Sequence, residues 1–162
     1  MDGVVSEAEA RRNLIDRGRY EQKGRRGMTA ANVQPERGVV TKTTERSVAD
    51  TISRLTEILE AKGIRVFAVI DQRAEASSVG LQLRETTLVL FGNPAAGTPV
   101  MDAVPLSALD LPLRVLVWSD SGETKVSYYA PAELARRHGL SPELEGRLAS
   151  IDQLTDALVG PG

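Results

Sequence analysis

Residues 113–130, LRVLVWSDSGETKVSYYA, decide the fold. Two apolar runs, Leu113–Trp118 and Val126–Ala130, flank Asp120-Ser121-Gly122-Glu123. Apolar stretches of strand length on either side of a short, glycine-bearing turn read as a β-hairpin. A hairpin pairs its two strands antiparallel. Upstream, Thr86–Phe91 is another apolar strand and ends abruptly at Gly92-Asn93-Pro94. Val66–Ile70 is a continuous apolar run, short enough for a buried strand. Gly38–Thr44, rich in Val and Thr, reads as the first strand.

Helix signals separate these strands. Ser47 has the residue type of an N-cap, with Asp50 three positions on, close to a capping box. Val48, Ile52, Leu55 and Leu59 follow at helical spacing, Ile58 widens the stripe, and Gly63 supplies the stop. Arg73–Ser78 fits a short helix or turn. Thr98-Pro99 predicts an N-cap followed by proline at the first helical position, and that helix must stop before Pro105. Pro131–His138 is a short helix stopped by Gly139. Ser141-Pro142-Glu143 repeats the cap-then-proline pattern. Leu144, Leu148, Ile151, Leu154 and Leu158 then predict one final helix of about four to five turns. A strict β-α-β-α alternation is absent. The expected class is therefore α+β: a single, mostly antiparallel sheet of about five strands with helices packed on one face.

Composition narrows the function. The chain has 162 residues, 41% hydrophobic and 26% charged, with net charge −2. It has no cysteine and one histidine, which rules out a disulfide, a zinc thiolate site, a cysteine nucleophile and a multi-histidine metal site within one chain. No metal and no cofactor are expected. No apolar run approaches the roughly 18–20 residues that span a bilayer. The first twenty residues are too charged for a secretory h-region. A cytoplasmic protein without membrane contact is expected. Residues 1–37 hold eight basic and six acidic residues, leaving a body of charge −4. With few large apolar side chains, this stretch is expected to be a disordered or weakly helical N-terminal arm, and residues 38–162 the folded domain. Arg17–Arg26 is basic, but Tyr20 is its one aromatic, and nucleic acid is not expected as a partner.

Several segments together carry a family resemblance. They are Val66-Phe67-Ala68-Val69-Ile70-Asp71, Leu90-Phe91-Gly92-Asn93-Pro94, Gly97-Thr98-Pro99 with Met101, Ala108-Leu109-Asp110-Leu111-Pro112-Leu113-Arg114, and Val117-Trp118. Tyr128, Pro131, Leu134 and Arg137-His138 continue the match. Over roughly residues 38–160 the chain resembles the DUF302 family. The resemblance implies a compact α+β domain that pairs as a homodimer, and it implies no defined biochemical activity. Many members have histidine directly after the aspartate of the second strand, where this chain has Gln72. A role that needs an imidazole there does not carry over.

Among candidate site residues, Phe91 to Met101 is the most suggestive stretch. A strand enters a glycine-bearing loop and then a helix, whose N-terminal N–H groups favour an anion. It lacks the Gly-Lys-Ser/Thr of a P-loop and the glycine spacing of a dinucleotide fingerprint. Asn93, Gly97 and Thr98 are its candidate ligand contacts; a purely structural turn is the other reading. Asp71, Asp102 and Asp110 form a carboxylate set, available as bases or as acceptors of local backbone hydrogen bonds. Arg114 either meets an anionic ligand or pairs with Asp110 or Asp71. Arg136, Arg137 and His138 put cations at a helix C-terminus, where they complement its dipole. Tyr128 and Tyr129 alternate, so one faces the core and the other a surface.

Three functions fit. The first is a small-molecule or anion-binding module using Asn93, Gly97, Thr98, Arg114, Asp71 and Asp110. The second is a homodimeric interaction or scaffold protein. The third is an enzyme with Asp71 or Asp110 as base. Deleting residues 1–37 is expected to leave the melting temperature nearly unchanged. A drop of several degrees in a thermal melt would show that the arm packs on the body.

Overall fold

A computed structural model describes residues 38–161. The expected arm, 1–37, lies outside the described residues. The hairpin is the centre of the fold. β4 (Leu113–Asp120) and β5 (Glu123–Tyr129) pair from Leu116 opposite Ser127 to Asp120 opposite Glu123. Both strands run further towards the turn than the apolar pattern alone indicated, leaving only Ser121 and Gly122 between them. Their φ values, 53° and 88°, are both in the left-handed region, as a tight two-residue hairpin requires.

The other strands are β1 (Val39–Thr44), β2 (Arg65–Asp71) and β3 (Thr86–Gly92). The sheet order is β1-β5-β4-β3-β2, and every neighbouring pair is antiparallel. The α+β class with one antiparallel five-stranded sheet therefore stands. β2 carries a β-bulge between Val66 and Ala68, which puts Phe67 and Ala68 opposite Leu90.

Helix α1 (Val48–Ala61) begins where expected. Ser47 Oγ accepts from the Asp50 backbone N–H at 3.0 Å and donates to Asp50 Oδ2 at 2.7 Å. Gly63, at φ 65°, ends it. α1 buries Val48, Thr51, Leu55 and Leu59. The core it joins holds Val89 and Phe91 of β3, Leu113, Val115 and Val117 of β4, and Val126 and Tyr128 of β5.

After α2 (Gln72–Ser78) and β3 comes α3 (Pro94–Ala103), with a 3-10 turn at Pro105–Leu109. Thr98 is not its cap. Asn93 is, with its side chain accepting from the Ala95 N–H at 2.9 Å, so Thr98 and Pro99 lie inside the helix. Two cap-then-proline pairs stand five residues apart, and the helix starts at the first, directly where β3 leaves the sheet. The helix ends before Pro105, as expected.

The C-terminal pattern also differs from expectation. α4 (Pro131–His138) stops at Gly139, but the single long helix after it is two: α5 (Pro142–Gly146) and α6 (Ser150–Val159). The break follows Gly146, the poorest non-proline helix former. Leu148 lies in the break and is still buried, so the apolar spacing marks the core correctly while the backbone departs from one helix. α6 packs Ile151, Leu154 and Leu158 beside α1. It is tied to β1 by Lys42 Nζ, which donates to Thr155 Oγ1 at 2.8 Å and Asp156 Oδ1 at 2.7 Å. Arg46 closes its C-terminus by donating to the carbonyls of Leu158 and Gly160, at 3.1 and 2.9 Å.

Leu55, fully buried between α1 and the sheet, tests this core. Leu55→Ala is expected to cost about 2–5 kcal/mol in urea unfolding. Val69→Thr, at a β2 edge position that is 47% exposed, is expected to cost a small fraction of that.

Candidate functional site

The strand register sorts the candidate residues by position. Leu90 pairs with Arg114 and Phe91 with Leu113, so Gly92 and Asn93 lie beside Pro112 and Leu111. A Cβ built on Gly92 would lie 3.6 Å from Pro112 Cβ. Tyr129 closes β5 at this same end. Asn93, Asp110 and Arg114 are thus gathered at one end of the sheet, with Gly97 and Thr98 in the helix that starts there. Asp71 is not among them. It ends β2 beside Thr87, about 20 Å along the strand from Arg65. Its side chain caps α2, with Oδ1 accepting from the Ala74 N–H at 2.9 Å. Asp102 lies in the last turns of α3.

The first turn of α3 has its donors in use. Ala95 N–H is bound by Asn93 Oδ1, and the N–H groups of Ala96 and Gly97 by Asn93 O at 2.9 and 3.0 Å. Pro94 has none to give. A methyl added to Gly97 would meet only Met101 Cε, at 3.9 Å, so no close backbone approach reserves that glycine.

The chemistry collects at Asp110 instead. Its side chain is only 13% exposed. His138 Nε2 lies 2.7 Å from Oδ2, and Arg137 Nη1 donates to Oδ2 at 3.0 Å and Oδ1 at 3.2 Å. Arg114 Nη2 stands 3.5 Å from Oδ1 and donates to the Leu109 carbonyl at 2.8 Å. Of the two expected carboxylate partners for Arg114, Asp110 is the one it meets. Burial pushes the Asp110 carboxyl up. The hydrogen bonds from His138 and Arg137, with the charges of Arg137 and Arg114, outweigh burial and hold it below the ordinary carboxylate range.

The cluster continues outward. Arg137 stacks over the Tyr129 ring at 4.7 Å and approaches Glu133, which is held by Arg136 at 2.8 Å. Tyr128 is the core-facing tyrosine and Tyr129 the outer one. A small cavity of about 10 Å³ lies beside the cluster, lined by Asp110, Leu113, Arg114, Tyr129, Leu134 and Ile151. Among the described residues, the buried Nε of Arg114 has no hydrogen-bond partner.

Arg137, His138 and Tyr129 lie together at this cluster, although sequence reasoning assigned the first two to a helix C-terminus and left open which of Tyr128 and Tyr129 faces outward. Both roles of the cations hold at once: they end α4, and from there they reach Asp110. The one signal in the sequence was that Arg137-His138 and Asp110 fall in segments matching the same family.

The sheet face away from α1 has another character. Ile70, Leu88 and Leu116 form one cross-strand row and Ala68 and Leu90 part of the next. Phe67 is 46% exposed beneath Arg65, whose guanidinium lies 5.0 Å from its ring. Trp118 lies under Arg84 at 5.8 Å and donates to Ser127 Oγ, which also bonds Thr41. The face is apolar over β2, β3 and β4 and polar towards β1.

Comparison with known proteins fits this architecture. Residues 40–158 match the domain of unknown function DUF302. The chain belongs to the DUF302 family. A crystal structure of an uncharacterised conserved DUF302 protein from Bacillus stearothermophilus superposes with a TM-score of 0.65 at 23% identity, covering 75% of this chain and 95% of that one. This chain is also 42% identical over 104 residues to fluoride-specific ion channel FluC 1 of Brucella suis and to FluC 1 of Brucella abortus. The match takes in 64% of this chain but only 41% and 38% of those proteins, so the chain spans about two fifths of the curated relatives. No described helix is long and apolar enough to cross a membrane.

The lowered Asp110 pKa fixes a sign. A carboxyl with a depressed folded-state pKa adds stability that is fully present above its unfolded value, ordinarily 3.8, and is lost as pH falls through the folded value. Acid unfolding of the wild type should therefore steepen below about pH 4. Asp110→Asn should be less stable at neutral pH and flatter in that window. An acid limb of unchanged steepness in the variant would remove Asp110 as its source.

Proposed function

We propose that this DUF302 domain is an anion-binding module whose site is the cluster of Asp110, Arg114 and Arg137, next to the loop that runs from Phe91 to Met101. The observation that carries it is the buried Arg114 Nε without a partner. A buried donor of this kind costs stability unless something accepts from it. The charges support the same reading. Before His138 is counted, Arg114, Arg136 and Arg137 exceed Asp110 and Glu133 by one positive charge. On this reading Asn93, Gly97 and Thr98 shape the neighbouring loop rather than grip the ligand. Asp71 has no part in the site.

The Brucella relatives suggest a context. Their name is that of a fluoride-specific channel, and the stretch resembling this chain is about two fifths of their length. A channel has to cross the membrane, and no described helix of this chain is fit to do so. The DUF302-like stretch then serves as the companion of a conducting part. The present chain, on the cytoplasmic side, serves a membrane protein that handles anions.

A second reading has its own observation. The apolar face over β2, β3 and β4 is the kind of surface a homodimer covers. A standard interface takes about 800 Å² from each partner, and Leu81 and Leu83, between α2 and β3, are exposed as well. The two readings are compatible, because the anion cluster sits at the end of the sheet.

Thermal melting with phosphate, chloride and fluoride salts at constant ionic strength tests the module. An anion at about 100 times its dissociation constant adds about 2.7 kcal/mol. Arg114→Ala should lose that gain while still folding. Melting that no anion alters would end the reading. Native mass spectrometry of the same samples reads the dimer, and Leu88→Lys should shift it to monomer.

A further inference from the structure

We propose that the sheet face away from α1, over β2, β3 and β4, docks an acidic amphipathic helix of a partner protein. The proposal takes up the apolar face of the second reading above and gives it a different occupant.

The floor comes from strand alternation. Val89, Val115 and Val117 are fully buried on the α1 side. Leu88, Leu90 and Leu116 face the other way, with Ile70 beside Leu88, and each keeps part of its surface open. Phe67, 46% exposed, lies at one end of this strip. Its three strands span two strand spacings, about 10 Å, and run about 23 Å in length. A helix is about 10–12 Å across, and about fifteen residues of it cover that length.

Charge selects the kind of helix. Arg65, Arg84 and Arg137 lie over the rings of Phe67, Trp118 and Tyr129, and Arg114 and Lys125 add to them. The acids here are Asp110, Asp120 and Glu123, and each is already paired with one of those cations. Two pairs at the margins, Arg136 with Glu133 and Arg73 with Glu85, cancel within themselves. Before His138 is counted, the face has a surplus of two positive charges, although residues 38–162 together carry −4. A helix with Glu or Asp on both flanks of an apolar stripe meets that surplus. A second copy of this chain lays the same surplus against itself, and like charges facing each other cost affinity. A nucleic acid needs rings on which to stack its bases. The centre of this floor is aliphatic, and its rings already lie under arginines.

The test uses the full chain and synthetic helical peptides of about fifteen residues. One has a leucine stripe flanked by glutamates; the other has lysines in place of the glutamates. Anisotropy of the labelled peptide reads affinity. Trp118, the one tryptophan of the chain, stands on this face, and its emission reads where the peptide sits. The glutamate peptide is expected to bind saturably, more weakly as salt rises, and to shift Trp118 emission to the blue. Leu88→Lys, with its fold checked by a thermal melt, should lose that shift. Arg65→Glu with Arg84→Glu should weaken the glutamate peptide about tenfold and favour the lysine peptide. Equal binding of both peptides by the wild type, or binding of neither, would overturn the proposal. A native dimer that excludes the peptide, and that Leu88→Lys splits, would overturn it too and leave the homodimer reading standing.

Discussion

One helix has to carry the chain from one edge of the sheet to the other. β1 and β2 point the same way and lie at opposite edges, with β5, β4 and β3 between them. Four strand spacings of about 4.8 Å make a sheet about 19 Å wide, and fourteen helical residues run about 21 Å. α1 is therefore just long enough to cross. To cross it must lie flat on the sheet, and its buried stripe of Val48, Thr51, Leu55 and Leu59 is what holds it there. The rest of the architecture follows. α6 packs beside α1 and joins the same core.

The one-sided packing explains where polarity and charge collect. A sheet covered on one face has its sequence alternate between core and surface. In β4, Leu113, Val115 and Val117 go inward, which forces Arg114 outward on the same face as Leu90 and Leu116. Arg114 then stands at the sheet end, four residues from Asp110 across the Leu111-Pro112 link. The strand pattern thus fixes the position of the arginine, and α4, packed against that end, brings Arg137 and His138 to the carboxylate. Glu133 of α4 also lies against Gly38, where an added Cβ would collide with the Glu133 side chain and where the φ of 87° favours glycine as well. α4 is in this way fastened at the start of β1 as well as at Asp110.

Local signals were legible and distant ones were not. The hairpin, the Ser47 cap and the stops at Gly63 and Gly139 each depend on residues within a few positions, and sequence reading placed them. Thr98-Pro99 failed because Asn93-Pro94 satisfies the same rule five residues earlier. The local pattern does not rank the two, and the point where β3 leaves the sheet does. Pro99 is tolerated inside the helix, leaving the Ala95 carbonyl without its usual N–H. The C-terminal break was hidden because Leu144, Leu148, Ile151 and Leu154 keep helical spacing across it. At the site, Asp110 and Arg114 are four apart and their pairing could be anticipated. Arg137 and His138 are 27 and 28 positions from Asp110, and only the tertiary fold joins them.

The same distance argument bears on what the cluster does. A carboxylate that served only to fasten α4 would need one strong partner, and His138 or Arg137 would suffice. Asp110 has three cationic or imidazole side chains around it and takes the cost of burial besides. Surplus cations at a buried carboxylate are not the most stable arrangement, because each added guanidinium repels the others. Arg114 shows the tension directly. Its Nη2 faces the Leu109 carbonyl and the Asp110 carboxylate, and its buried Nε has no acceptor among the described residues. A fold optimised for stability alone would resolve that with a neutral side chain on β4. The buried Nε of Arg114, without an acceptor among the described residues, is the feature on which the proposed anion-binding reading rests.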